Sequence, residues 1–213
     1  MQSLTSINRG ICQGIITNDI YYPSDNVAIV TLKVRDDRIN PKTGEKAKYF
    51  IQFTAFDEQN EIIRANAQNG QILYVEYQLT TSKKMDDYGV SKFYRNRVIQ
   101  NLAFGDVLLP DVMVNVPYQN LGFAQGEFVN LRRVKKFNDI AFLTVRIHMN
   151  TDDGRERIFY PQFTVFGGMI DLIESKFQED DTIHVTYKVE TRMKTDDDGK
   201  KLFFTDYIAN KIM

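Results

Sequence analysis

The sequence of 213 residues contains no tryptophan and a single cysteine, Cys12. One cysteine cannot form an internal disulfide, so the composition fits a reducing compartment. The sequence also lacks a secretory signal pattern and any apolar run near the ~18 residues of a membrane-spanning helix. We therefore expect a cytoplasmic protein with no membrane partner. A net charge of −1 excludes a generally basic protein and disfavours tight, nonspecific binding to duplex DNA, although a local basic track is compatible with it.

The residue patterns of common catalytic sites are missing as well. His148 and His184 have no second histidine or cysteine at ligand spacing, and Cys12 has no evident activating partner. The aspartate runs at 86–87, 152–153 and 196–198 each lie within two residues of a glycine, so turn chemistry explains them better than metal binding. No glycine-rich phosphate loop and no nucleophile triad can be identified. We expect a protein that is not an enzyme and holds no cofactor or metal.

What the sequence does contain is an internal repeat. Gln52-Phe53-Thr54-Ala55-Phe56 returns as Gln162-Phe163-Thr164-Val165-Phe166, a shift of 162 − 52 = 110 residues. The repeat indicates two units of about 100 residues, each long enough to enclose its own core. We assign residues 1–106 to the first unit, 107–120 to a linker and 121–213 to the second unit.

Each copy of the repeat lies in a run that reads as one strand, Lys48 to Phe56 and Ile158 to Phe166, because β-forming residues dominate both. Successive side chains of a strand point to opposite faces. One face of each run is apolar and is expected to point inward; its members are Tyr49, Ile51, Phe53 and Ala55, then Phe159, Pro161, Phe163 and Val165. The other face combines rings with polar residues and is expected to point outward; its members are Phe50, Gln52, Thr54 and Phe56, then Tyr160, Gln162, Thr164 and Phe166.

The remaining segments complete the same order in both halves, with a helix after the third strand. The first half has strands at Gly10–Ile16, Val27–Val34, Lys48–Phe56, Ile72–Thr81 and Phe93–Leu102 and a helix at Glu58–Gln68. The second has strands at Gly122–Phe128, Ile140–Ile147, Ile158–Phe166, Thr182–Thr191 and Phe203–Ile212 and a helix at Met169–Phe177. This order predicts an all-β protein with short helices, built from two tandem OB-folds, which are five-stranded Greek-key barrels that commonly bind oligonucleotides or oligosaccharides.

The stretch from Val27 to Leu102 resembles the bacterial and phage single-stranded DNA-binding protein family. The resemblance rests on the apolar second strand, a long hairpin with Thr43-Gly44-Glu45, the aromatic third strand ending at Phe56, and the run from Gly70 to Thr81. It implies ring-stacking positions at Phe50, Phe56, Tyr160 and Phe166. Two stacking tryptophans of well-studied members would fall near Arg38 and Lys84. The chain ends Ala209-Asn210-Lys211-Ile212-Met213, so recruitment of replication proteins through the family's acidic C-terminal tail is not expected.

The resulting hypothesis is a protein that coats single-stranded DNA during replication or recombination, without sequence preference, by base stacking and phosphate contacts. The stacking candidates are Phe50, Phe56, Tyr160 and Phe166, with Tyr94 and Phe204. The phosphate-contacting candidates are Arg35, Arg38, Lys42, Lys46, Lys48, Lys83, Lys84, Arg95, Arg155, Arg157, Arg192 and Lys194, within a wider basic set that includes Arg97. A homodimer would present four barrels. The tandem form and the missing tail suggest a phage or another mobile element as the source.

Three plainer interpretations stay open at this point. The rings could be core on both faces of the strands, and each single cation could be an ordinary solvated charge. The barrels could also form an interaction module whose aromatic face holds a protein partner. In a further variant only one half binds DNA, and the shorter first hairpin of the second half makes that half the candidate for another role. Cations on both hairpins of both repeats favour the nucleic-acid hypothesis.

Overall fold

A computed structural model describes residues 6–17, 20–39, 44–85, 89, 91–108, 118–150, 155–195 and 201–213 of the chain. Side chains are not described at positions 37, 83, 84, 91–93, 193–195, 201 and 202. The strands are β1 (Ile7–Ile16), β2 (Tyr21–Ser24), β3 (Val27–Ile39), β4 (Lys46–Phe56), β5 (Gln71–Met85), β6 (Ser91–Val107), β7 (Gln119–Val134), β8 (Phe137–Asn150), β9 (Glu156–Phe159), β10 (Gln162–Phe166), β11 (Thr182–Thr195) and β12 (Lys201–Ile212). The helices are α1 (Asp57–Asn66) and α2 (Gly168–Lys176).

Five strands of the first half close into a barrel in the order β1-β3-β4-β6-β5, because β5 pairs back with β1. All pairings are antiparallel except β4 with β6, which run parallel where Thr54 faces Val98. The helix α1 connects β4 to β5, as the apolar spacing of this segment predicted. The short strand β2 was not predicted; it lies outside the ring, on the edge of β3.

The second half repeats this topology as the ring β7-β8-β10-β12-β11, again with one parallel pairing, Thr164 with Ile208. The predicted fold class, all-β with two tandem OB-fold barrels and short helices, is confirmed. One strand prediction was wrong, since the run from Ile158 to Phe166 is split into β9 and β10. Pro161 lies at the break, and a proline has no N–H to donate to a sheet ladder.

The two barrels are joined by an antiparallel ladder between β1 and β7, which runs from Ile7 opposite Gln125 to Gln13 opposite Gln119. At its centre Gly10 faces Gly122, and the ring of a tyrosine lies over each glycine. These rings, Tyr77 and Tyr187, pack on Phe53 and Phe163 with centroids 5.2 and 5.1 Å apart. The buried residues of both halves therefore form one hydrophobic cluster rather than the two separate cores expected from the repeat.

Asparagine side chains secure both ends of this ladder. Asn8 donates to the carbonyl of Leu79 at 2.6 Å and accepts from its N–H at 2.9 Å. Asn120 makes the same two bonds, at 2.6 and 2.9 Å, with Val189, the repeat mate of Leu79. Backbone pairing of β1 with β5, and of β7 with β11, ends before these asparagines. The side-chain amide of each asparagine therefore makes the two hydrogen bonds that a backbone partner would otherwise make. At the predicted linker, β6 extends to Val107 and β7 begins at Gln119; residues 109–117 lie outside the described residues.

Candidate functional site

The outer face of β4 carries two rings of the first barrel. Burial alternates along this strand: Ile51, Phe53 and Ala55 are fully enclosed, whereas Phe50 and Phe56 are each 42% exposed. The alternation follows from the pleat of a barrel wall, whose side chains point in turn to the core and to solvent. The predicted division of this strand into two faces is confirmed, and it excludes the interpretation in which both faces are core.

The second barrel presents the equivalent surface. Tyr160 and Phe166 are exposed, as are Tyr94 and Phe204 on the last strand of each barrel, so all six predicted rings are between 41% and 47% exposed. One outward prediction was wrong, since Thr164 is buried. Thr164 lies on a central strand and is flanked by Phe142 of β8 and Ile208 of β12.

Hydrogen bonds between the barrels connect the two aromatic faces. The N–H of Phe50 donates to Oγ1 of Thr191 at 2.9 Å, and the N–H of Tyr160 donates to Oγ1 of Thr81 at 3.4 Å. These two bonds are related by the repeat, because Thr81 and Thr191 occupy the same position in their barrels. A third bond, from Arg95 to Oε1 of Gln162 at 2.6 Å, links β6 to β10. The outer faces therefore meet at the barrel junction.

A cluster of cations surrounds Phe50. Lys33 is the register partner of Phe50, and Arg35 is the partner of Lys48 two pairs further along the same two strands. Partial burial, followed by the charges of Arg35 and Lys48, lowers the pKa of Lys33. Mutual repulsion of this kind indicates a local positive potential beside an exposed ring, in a chain whose net charge is −1.

Lys33 was missed by the sequence analysis, although alternation along β3 could have found it. Lys33 and Arg35 are two residues apart and share the outward side of the strand with Thr31, between the buried side chains of Leu32 and Val34. The apolar character of the run from Val27 to Val34 indicates a strand at least partly covered on both sides, and the side that carries Lys33 is partly covered and partly open.

The other predicted cations differ in their surroundings. Arg38 forms ion pairs with Asp36 and Glu190 and a hydrogen bond with the Tyr49 hydroxyl, and Arg192 pairs with Asp206 at 2.6 Å. Lys48 pairs with the exposed Glu45 at 2.8 Å, a surface contact of small energetic weight. Lys46, Arg155 and Arg157 are exposed. Lys42 lies outside the described residues, as do the side chains of Lys83, Lys84 and Lys194.

Arg38 belongs to an ionic network that crosses the barrel junction. Asp36 accepts from Lys188 at 2.9 Å and from Arg38 at 2.9 Å. Partial burial raises the pKa of Asp36, but the bonds from Lys188 and Arg38 outweigh it and lower that pKa to about 2. Burial together with Glu190 raises the pKa of Tyr49 to about 12. Asp36 is therefore charged and Tyr49 neutral at physiological pH, and the network holds β3 against β11.

Arg97 does not belong with the exposed cations, although the sequence analysis included it in the wider basic set. It is only 7% exposed, and it donates to the carbonyl of Gln52 at 2.6 Å and to the Tyr207 hydroxyl at 3.1 Å. An arginine that is buried and bonded in this way links β6 to β4 and to the second barrel. It is not placed to contact a phosphate.

Three further features concern other kinds of site in the part of the chain that the structure describes. No group of three or more histidine, cysteine or acidic side chains there has the geometry of a metal site. Neither of the two described helices is long and apolar enough to span a bilayer. Cys12 is buried, and burial raises the pKa of its thiol far above the ordinary value, which makes it unreactive.

Comparisons with known proteins found similarity at the level of structure. No family model matches the sequence, and no curated protein matches it. The wild-type single-stranded DNA binding protein from Thermus aquaticus superposes with a TM-score of 0.67 at 15% identity, covering 99% of this chain and 93% of that one. A deletion mutant of that protein gives 0.66 at 15% identity, covering 98% and 94%. At this identity the likeness shows a shared fold over nearly the whole chain.

Proposed function

We propose that this protein binds single-stranded DNA and coats it largely without sequence preference. The observation that carries the proposal is the repeated set of exposed rings, Phe50 and Phe56 on one barrel and Tyr160 and Phe166 on the other, on outer faces that meet at the junction. A planar base can stack on an exposed ring whatever its identity. The structural likeness to single-stranded DNA binding proteins supports the same conclusion.

Affinity would come from two sources. Each stacked base contributes about 1–3 kcal/mol, so a few rings are sufficient for useful binding by a chain without net positive charge. The cluster of Lys33, Arg35 and Lys48 would neutralise phosphates beside Phe50 and would make part of the affinity sensitive to salt. The exposed Arg155 and Arg157 would do the same near Tyr160.

The tandem arrangement adds a third contribution. A strand held by the first barrel meets the second at high local concentration, because the β1–β7 ladder fixes the two barrels together. We retain residues 1–106 and 121–213 as the two binding units, joined by 107–120. We further propose a homodimer with four barrels, a role as a binding protein in replication or recombination rather than an enzyme, and a phage or other mobile element as the source.

The stacking face is tested by replacing Phe50 and Phe56 together with leucine, which keeps apolar volume but removes the flat ring. Binding of labelled oligo-dT, measured by fluorescence anisotropy, should weaken about thirtyfold or more if each ring stacks one base. The matched control is Phe123→Leu. Phe123 is exposed to a similar degree, at 43%, but lies on β7, which is not adjacent to the stacking strand β10 in its barrel.

The control variant should bind oligo-dT within twofold of the unmodified protein. If the double variant also binds like the unmodified protein, these rings do not stack on bases. In that case the aromatic faces are better explained as a surface for a protein partner.

A further inference from the structure

An open cleft of about 440 Å³ lies between the outer face of the first barrel and strands of the second. Its floor is formed by Gln78 and Thr80 of β5 and by Asn96 and Gln100 of β6. Its walls include Phe56 of β4 and, from the second barrel, Arg157 and Phe159 of β9. The volume is in the range of protein sites for small organic ligands.

The floor is polar but uncharged. Gln78 pairs in register with Val98, and Thr80 pairs with Asn96, so alternate residues of both strands present their side chains to the cleft. In the part of the chain that the structure describes, no other side chain engages the amides of Gln78 and Asn96. Each amide offers both a hydrogen-bond donor and an acceptor. Such a floor suits an uncharged chemical group, such as a base, whose edge carries donors and acceptors.

The residues at the sides of the cleft indicate the chemical class of the ligand. Phe56 and Phe159 supply flat apolar surface at the sides of the cleft, and Arg157 is the one ionisable residue among the lining residues whose side chains the structure describes. Rings beside a polar edge and one nearby cation match a base attached to a phosphate, which is a nucleotide unit of a single strand.

The repeat provides an internal comparison, because the second barrel has the same strands at the opposite side of the junction. A shift of 110 residues converts Gln78, Thr80 and Asn96 into Lys188, Glu190 and Asp206, with the same register between β11 and β12. On the facing strand, Val34 matches Ile147, so Met149 of the cleft corresponds to Asp36. The neutral residues of one junction are thus charged residues at the other.

These charges fill the second junction with ion pairs. Lys188 contacts Asp36 at 2.9 Å and Glu190 at 3.1 Å, while Asp206 pairs with Arg192 at 2.6 Å. Arg38 adds further pairs with Asp36 and Glu190. A base entering this position would have to displace several mutually satisfied charges and would meet carboxylates that repel its phosphate. The two junctions therefore differ in kind although their backbones are equivalent.

We propose that the amide-floored cleft binds one base of the single strand by its edge, and that its ion-paired counterpart binds none. The inference rests on the proposed function and makes it more specific. The strand would cross from the first barrel to the second over the junction that Gln78 and Asn96 line. At the other junction, the ion-paired position would hold the barrels together and take no base, while Phe50 beside it stays available for stacking.

The test replaces the two floor amides by apolar side chains of similar size, Gln78→Met with Asn96→Leu. Both positions lie on the outer barrel surface, so the fold should persist, and circular dichroism checks it. Affinity for oligo-dT should fall about tenfold through loss of two hydrogen bonds. The matched control, Lys188→Met with Asp206→Leu, changes the equivalent positions and leaves the net charge unchanged; its affinity should stay within twofold.

An oligomer of the same length that carries abasic sugars separates base from phosphate recognition. At low salt the cleft variant and the unmodified protein should bind this oligomer equally, because the contacts that were removed are to the base. Unchanged affinity for oligo-dT, an equal loss on the abasic oligomer, or an equal loss in the control variant would overturn the inference. Failure of the unmodified protein to bind any oligo-dT would instead overturn the proposed function itself.

Discussion

The cations on this surface differ in how readily they can contact a phosphate, because their neighbouring charges differ. Lys33 lies beside Phe50 among other cations, and its lowered pKa reflects burial and repulsion. Arg38 is also partly exposed, but it is held by the carboxylates of Asp36 and Glu190. A cation that is repelled by its neighbours gains most from an arriving phosphate, whereas one that is already paired must first give up its partners.

This contrast predicts different salt dependences for two single substitutions. Lys33→Gln should reduce the slope of log affinity for oligo-dT against log salt concentration by about 0.7, the value for one phosphate contact on a single strand. Arg38→Gln should leave that slope unchanged, because the charge of Arg38 is offset within its ionic network. Anisotropy titrations at four or more salt concentrations measure both slopes.

Equal slopes for the two variants would show that ion pairing across the junction does not decide which cations meet phosphate. A lower melting temperature is expected only for Arg38→Gln, because that variant loses bonds between the barrels. Thermal melts monitored by circular dichroism therefore serve as the control for structural effects.

At the residue scale the exposure of the rings was easier to predict from the sequence than the surroundings of the cations. The exposure of Phe50 and Phe166 follows from the two-residue period of a strand, which is a local property. Whether Arg38 or Arg97 is available depends on Glu190 and Tyr207, which are more than a hundred residues away in the chain. No local pattern contains that information.

At the scale of elements, the β1–β7 ladder determines how the two aromatic faces are placed. Gly10 and Gly122 face each other at its centre because a side chain at either position would occupy the space of a tyrosine ring. Burial raises the pKa of both Tyr77 and Tyr187, so both hydroxyls stay protonated beside one another. Glycine is required at both positions because only a residue without a side chain leaves room for these two tyrosine rings.

Gly10→Ala should lower the free energy of unfolding by about 1–3 kcal/mol, because the added Cβ collides with the ring of Tyr77 in a packed core. Gly168→Ala is the matched control, since a Cβ at that position in α2 would have no heavy atom within 4 Å other than its chain neighbours and the backbone of its own helix. The control should be neutral or stabilising by up to about 1 kcal/mol. Urea unfolding followed by circular dichroism measures both, and equal stability of the two variants would contradict this account of the ladder.

The order of the elements was predictable from periodicity, turn residues and the repeat, and these rules place ten ring strands and both helices. Three features were not predicted. Pro161 interrupts a run that otherwise reads as one strand, and β2 is too short to show a period. The pairing of β1 with β7 was also invisible, because it joins strands from different halves and depends on the fold of both.

At the scale of the whole molecule, the two halves share a backbone plan but differ at the junction between them. One junction is an open cleft whose floor carries uncharged amides, and the other is filled by the ion pairs of Asp36, Lys188 and Glu190. The repeat made the equivalence of the halves predictable, and the 110-residue shift makes the charge difference readable in the sequence. Only the assembled barrels show that these positions face one another.

The central claim is single-strand binding across both barrels, and an anisotropy titration of oligo-dT of increasing length against a duplex of matched length tests it most directly. We predict that affinity rises with length, levels off once both barrels are occupied, at roughly 8–32 nucleotides for two OB-folds, and weakens with salt. Duplex should bind much more weakly. Absence of binding to every single strand at low salt, or equal binding to duplex, would contradict the account.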